Sequence, residues 1–229
     1  ESQYDHRNNK KKLNFNIKFL DSKKVKYFIL QKPFPNGLDI WNNQALQREF
    51  LLDNLKSITN DEDYVFFSDP DEIPNPIILD NFVLKKKYGI FFQKCFNFKF
   101  NLFNPYETPW EGTRVCKMKN LKSIDFMRQK IKSKNLGYSF FRIDKEKSIE
   151  LFNNGGWHFN NIMDPEEISL KLKTFAHTEF SEDKYSNIEI IKSKIQKKID
   201  LFQRGHQYVQ VKLDDSFPKY LNSNHEKYK

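Results

Sequence analysis

Cysteine is nearly absent: Cys95 and Cys116 are the only two in 229 residues. Two thiols so placed form neither a disulfide framework nor a Cys/His zinc pattern, so the fold must be held by its core. No Asn-x-Ser/Thr acceptor occurs, although asparagine is abundant, which leans towards a compartment without N-glycosylation. The cytoplasm is the expected location, and any targeting segment would lie upstream of Glu1. No apolar run approaches the ~20 residues that a membrane-spanning helix needs. No span is therefore expected, and only peripheral contact with a membrane surface stays open. Internal repeats, low-complexity linkers and recognised nucleic-acid-binding motifs are missing too, and the lysines are dispersed, so nucleic acid is not the expected partner.

What the chain does have is aromatic residues and positive charge. With 23 Phe, 10 Tyr and 38% hydrophobic residues it can bury a substantial core, which excludes disorder as a description of the whole. The length suits one α/β domain over residues 1–229. The excess of 39 Lys+Arg over 30 Asp+Glu, a net charge of +9, attracts phosphates, anionic glycans or acidic lipid headgroups. A Lys- and Asn-rich compositional bias would give the same numbers.

Hydrophobic periodicity predicts an exposed basic loop over residues 7–12, a short strand at Val25–Leu30 and a helix over Asn42–Ile58. Tyr64–Ser68 reads as a buried strand of a mostly parallel sheet, and Pro74 and Pro76 open a helix through Lys86. Alternation from Ile90 to Leu102 gives the clearest strand. A strand at Thr113–Met118, a basic helix at Ser123–Lys134 and a strand at Ser148–Phe152 follow. Helices then run from Pro165 to about His177 and from Tyr185 to Phe202. Alternating strands and helices argue for a single α/β sandwich with a mixed, mostly parallel sheet flanked by helices.

The chemistry concentrates in Ser68-Asp69-Pro70-Asp71-Glu72-Ile73-Pro74, at the carboxyl edge of a strand, where α/β sheets place ligands. Three acids packed there need a cation. Oxygen ligands suit Mg²⁺ or Mn²⁺, which would bridge a diphosphate, so Asp69 and Asp71 are candidate metal ligands. The same stretch also reads as a capped turn with proline at the first helical position. In Gly155-Gly156-Trp157-His158 the glycines permit a close backbone approach. His158 is a further metal ligand or phosphate donor, or a satisfied structural histidine. Trp157 packs under a sugar ring or fills the core. In the loop from Asn104 to Thr113, Tyr106 and Trp110 can stack on an acceptor sugar, and Glu107 or Glu111 can act as general base. Arg48 can hold a phosphate.

Taken together these pieces resemble glycosyltransferase family 17. The resemblance rests on Asp69-Pro70-Asp71-Glu72-Ile73-Pro74 after an apolar strand, the Gln47-Arg48 helix before it and the aromatic strand with Asn101. Gly156-Trp157-His158-Phe159, His177-Thr178-Glu179 and Phe217-Pro218-Lys219-Tyr220-Leu221 complete it, covering nearly the whole chain. It implies a GT-A-like fold, a nucleotide-sugar donor such as UDP-N-acetylglucosamine, a glycan acceptor, a divalent metal (Mn²⁺ or Mg²⁺) and inversion at the anomeric carbon. Asp69, Asp71 and His158 become the metal set, with Asp69, Arg48, Trp157 and His158 on the donor. Tyr106 and Trp110 sit on the acceptor, and Glu111 or Glu179 serves as base. Members of the family carry a strand–helix–strand segment ahead of the position of Glu1, so a chain truncated at that end, lacking its first strand, is expected. A glycoside hydrolase, a metal-dependent nuclease and a basic nucleic-acid-binding protein are the rival readings.

Overall fold

The computed structural model describes residues 1–13, 18, 24–174 and 178–228. Helix α1 (Ile40–Lys56) leads to β1 (Tyr64–Phe67), β2 (Glu72–Pro74) and α2 (Pro76–Leu79). Strands β3 (Tyr88–Asn97), β4 (Leu102–Phe103) and β5 (Trp110–Lys117) precede α3 (Ile124–Lys130) and the long β6 (Ile149–Asn160). The rest comprises α4 (Pro165–Thr174), α5 (Asp183–Ser186), α6 (Ile188–Lys197), β7 (Val209–Gln210) and α7 (Lys219–Ser223).

Among the described residues seven strands form one mixed sheet whose central order is β1-β5-β3-β6-β2, with β4 and β7 extending from the far half of β3. Mixed it is, but not mostly parallel: β3 and β6 run parallel and every other pairing is antiparallel. The cause is local. Residues 98–109 hold β4 and turns but no helix to cross the sheet, so β5 must return antiparallel beside β3. Register shifts at Ile90/Phe92 and Phe91/Gln93 bend β3 against both neighbours and curl the sheet.

Alternation along β3 sends Ile90 to a cluster with Tyr88, Cys116, Met127 and Ile131 under α3. Phe91 goes to the opposite face with Leu84 and Val115. The far end of the sheet is covered by α4 and α6, where Phe98 and Leu102 meet Ile168, Leu172 and Ile191. Near α7, Phe96, Trp157 and Phe159 pack on Leu213, Phe217 and Leu221.

Several elements differ from expectation. Val25–Leu30 contributes one isolated bridge, Leu30 to Ser2. The helix after Pro76 ends at Leu79, because Asp80 is extended and Asn81 has φ 53°. Helix α3 stops at Lys130, and one 3-10 turn, Ser133–Gly137, follows it. Strand β1 is an antiparallel edge strand, not an inner parallel one. The short strand expected at Ser148–Phe152 is part of one continuous strand, β6, which starts at Ile149 and runs on through the Gly-Gly-Trp-His stretch to Asn160. The last long helix is interrupted at Asn187, whose side chain accepts from the Glu189 and Ile190 amides and starts α6 afresh. Helix α4 ends at Thr174, and His177 lies outside the described residues.

Candidate functional site: an arginine-braced acidic turn over a basic cleft

The turn after β1 is closed by the Glu72 amide donating to the Asp69 carbonyl at 2.9 Å. It is fixed to β6 by the β2 pairing, which sets Glu72 opposite His158, and by the Phe159 amide donating to the Asp71 carbonyl at 2.8 Å. Glu72 is fully buried, with its side chain 0% exposed. Its carboxylate accepts from Arg128 at 2.7 Å, from the Trp110 indole at 2.9 Å and from the Asp69 amide at 3.2 Å. Arg128 also donates to Asp69 at 2.7 Å and to the Gly112 carbonyl at 3.0 Å. Arg48 on α1 stands 3.8 Å from Asp69 and 3.4 Å from Asp125. The countercharge that three packed acids demand is therefore supplied to Asp69 and Glu72 by guanidinium groups.

Asp71 is different. No arginine or lysine pairs with it among the described residues, and its nearest ionisable partner is the His158 Nδ1 at 3.6 Å. That distance is beyond a hydrogen bond, and Nδ1 is buried without any partner. The imidazole stacks on Trp110, centroids 4.5 Å apart and planes 13° from parallel. Burial lowers the His158 pKa against the pull of Asp71 and Glu72, so the ring is neutral at neutral pH.

These groups open on a cleft of about 1170 Å³. Asp69, Asp71 and Glu111 bring carboxylates to it, and Arg48, Arg128, Lys132, Lys134 and Lys171 bring cations. Lys171, on α4, is held by the Asn161 side-chain oxygen at 2.8 Å. Its pKa is lowered by burial and partly restored by Asp71. Burial likewise lowers Lys132, helped by the nearby Arg114 and Arg128 charges. A second cavity, of about 730 Å³ along residues 210–215, shares none of the cleft's residues.

Of the residues singled out from the sequence, Arg48, Asp69, Asp71, Trp110, Glu111 and His158 meet in this cleft. Glu111 is tethered there: one oxygen accepts from the Ser133 amide at 3.1 Å and from its hydroxyl, the other from Arg114 at 3.0 Å. Arg114 is wholly buried, and burial brings its pKa down to about 10.

Four residues are not brought to the cleft. Glu107, the other candidate base of its loop, accepts instead from Arg204 at 2.6 Å and from the Asn104 side chain at 2.8 Å. Trp157 points to the other face of β6, packs on Phe217 and donates its indole N–H to the Ser216 carbonyl at 3.1 Å. Tyr106 stacks on His206 at 4.4 Å and is absent from the cleft lining. Glu179 sits exposed in a 3-10 turn packed against α4. Gly155 and Gly156 do serve close approach, but to neighbouring strands: a Cβ on Gly155 would sit 2.7 Å from the Phe92 nitrogen, and one on Gly156 would sit 2.0 Å from the Ile73 oxygen.

Sequence reasoning missed Arg128 and Lys171, read only as parts of a basic helix and of the helix that starts at Pro165. Among the described residues no group of three or more His, Cys, Asp or Glu side chains is arranged to hold a metal ion. No helix there is long and apolar enough to cross a membrane. Comparisons with protein-family models, with curated proteins and with solved structures return no match.

Proposed function

We propose that the chain is a glycosyltransferase of the family 17 type, with a GT-A-like arrangement of the site at the end of β1. It takes a nucleotide-diphosphate sugar such as UDP-N-acetylglucosamine into the cleft and passes the sugar to a glycan acceptor. One observation carries this reading: Asp71, the Trp110–His158 stack and five cationic side chains share a cleft of about 1170 Å³. Such a volume accommodates a nucleotide sugar with room for an acceptor, since small-molecule sites run from roughly 300 to 1,000 Å³.

The cleft residues have distinct parts in this reading. Lys171, Lys132 and Arg48 hold the diphosphate and offset the charge that develops on it as the glycosidic bond breaks. Trp110 offers a flat apolar face to a sugar ring, its orientation fixed by the bond to Glu72. Glu111 takes the acceptor hydroxyl proton in a direct displacement, held in one orientation by Arg114 and Ser133. The side chains that would hold a divalent ion are Asp71 and, for Mn²⁺, the unpartnered Nδ1 of His158, while Asp69, engaged by Arg128, steadies the turn. When bound, such an ion supplies further countercharge to the diphosphate.

The test is thermal stability with a panel of nucleotide sugars, with and without Mn²⁺, for wild type, Asp71→Ala and Lys171→Met. A ligand at a hundred times its Kd stabilises by about 2.7 kcal/mol, a rise of roughly 5–10 °C for a chain of this size. A shift with one UDP-sugar, lost in both variants, supports the reading. Release of sugar from a glycoside in the presence of chelator, with no nucleotide-sugar shift, overturns it in favour of a hydrolase.

A further inference from the structure

The most exposed apolar side chains among the described residues are not at the cleft. They lie in the loop between the 3-10 turn Ser133–Gly137 and β6, where Phe140 and Phe141 are each 87% exposed and Ile143 is 94% exposed. Leu136 and Tyr138 at its base are exposed as well. The loop is internally braced. Lys147 donates its ammonium to the Ser139 carbonyl at 2.7 Å and lies 5.9 Å from the Phe140 ring. Arg142 is 5.4 Å from the Tyr138 ring and pairs with Asp144 at 2.7 Å. The two phenylalanine rings meet edge to face, centroids 6.3 Å apart.

From residue 130 to 147 the cations are Lys130, Lys132, Lys134, Arg142, Lys145 and Lys147, against Asp144 and Glu146. Asp144 is already neutralised by Arg142 and Lys145. We infer that this loop is a membrane-docking element, inserting Phe140, Phe141 and Ile143 into the interfacial layer of an anionic lipid bilayer. Apolar and aromatic tips set among Lys and Arg are the arrangement that the headgroup boundary stabilises. The tips gain from the acyl region while the cations stay among lipid phosphates and carboxylates. Each cation near such a surface is worth roughly fivefold in affinity.

A protein partner fits less well. Two rings of roughly 150–250 Å² each and one isoleucine fall short of the roughly 800 Å² per partner that a stable protein interface uses. The three side chains also project from a turn and do not line a groove. The loop is joined to the cleft through the segment before it, whose Lys132 and Lys134 line that cleft.

The test is co-sedimentation of the full chain with vesicles of phosphatidylcholine alone and of phosphatidylcholine with phosphatidylserine, at low and high salt. Binding to the anionic vesicles is expected, weakening as salt rises. Phe140→Ser/Phe141→Ser/Ile143→Ser should reduce it by at least ~tenfold with an unchanged melting temperature. Phe141→Trp should give a blue-shifted emission on the same vesicles. Equal binding by the triple variant overturns the inference, as does no binding to either vesicle. So does a concentration-dependent dimer that the triple variant abolishes, which would assign the loop to a second copy of this chain. None of these outcomes depends on nucleotide-sugar binding, so the docking loop and the transferase reading stand or fall separately.

Discussion

Replacing Arg128 by methionine removes the group on which the acidic turn is built. Its guanidinium is almost fully buried, the side chain 9% exposed, and it meets Glu72 and Asp69 each at 2.7 Å. In Arg128→Met, Glu72 stays buried with only the Trp110 indole and the Asp69 amide as donors. Removing one partner of a buried pair costs about 3–5 kcal/mol, and the lost bonds to the Glu111 and Gly112 carbonyls keep the expectation within that range. At roughly 2–4 °C per kcal/mol for a chain of this size the melting temperature should fall by about 6–20 °C. Glu72→Gln in the same background removes the stranded charge, so the double variant should recover about 1–3 kcal/mol relative to the sum of the single ones. Urea denaturation of the four proteins measures this directly. A loss below ~1 kcal/mol for Arg128→Met, or strictly additive single changes, would refute the claim that this arginine neutralises a buried carboxylate.

Three further outcomes follow from the same geometry. Gly156→Ala places a Cβ 2.0 Å from the Ile73 oxygen at a residue with φ +127°, and should destabilise by at least ~3 kcal/mol in denaturant titration. His158, with a folded pKa below its ordinary 6.5, is protonated in the unfolded chain before it is in the folded one. Stability attributable to it is therefore complete above pH 6.5 and lost as the pH falls towards the folded value. His158→Asn should flatten the stability profile over that window, and an unchanged slope would remove burial as the cause. Cys95 and Cys116 are both wholly buried, and burial pushes the Cys116 thiol up to about 12 and Cys95 higher still. Neither should react with a thiol reagent at pH 8 until denaturant is added, the rate then rising by at least ~100-fold.

Much of this was legible in the residues. Strand β3 announced itself through alternation, although that pattern overran it, the strand ending at Asn97 and Phe98 turning away at φ 67° before β4. Helix α1 showed through its stripe, and the end of β1 through acids crowded beyond an apolar run. The arginine that braces those acids was not legible, because Arg128 reaches Asp69 across 59 positions of chain and reads locally as one cation of a basic helix. Lys171 is hidden in the same way on α4. Other signals were present but unused. Successive residues of a strand face opposite ways, so Trp157 and His158 cannot both serve one cleft, and the core position of Trp157 follows from placing His158 in the site. The connection from β3 to β5 holds no crossover helix, which already forbids the parallel sheet that the apolar run at β1 suggested.

Strand β6 has a consequence beyond the site it carries. The pairings that seat Trp157 among Phe96 and Phe217 are the ones that set His158 against Glu72. A slip of one residue would exchange the indole and the imidazole, opening the hydrophobic layer and emptying the cleft in a single event. Damage to the inner wall of the cleft is therefore reported by the melting curve. Changes at its exposed rim, such as Lys134→Met, need not register there, so evolution could retune the rim for a new ligand without reopening the question of how the chain folds.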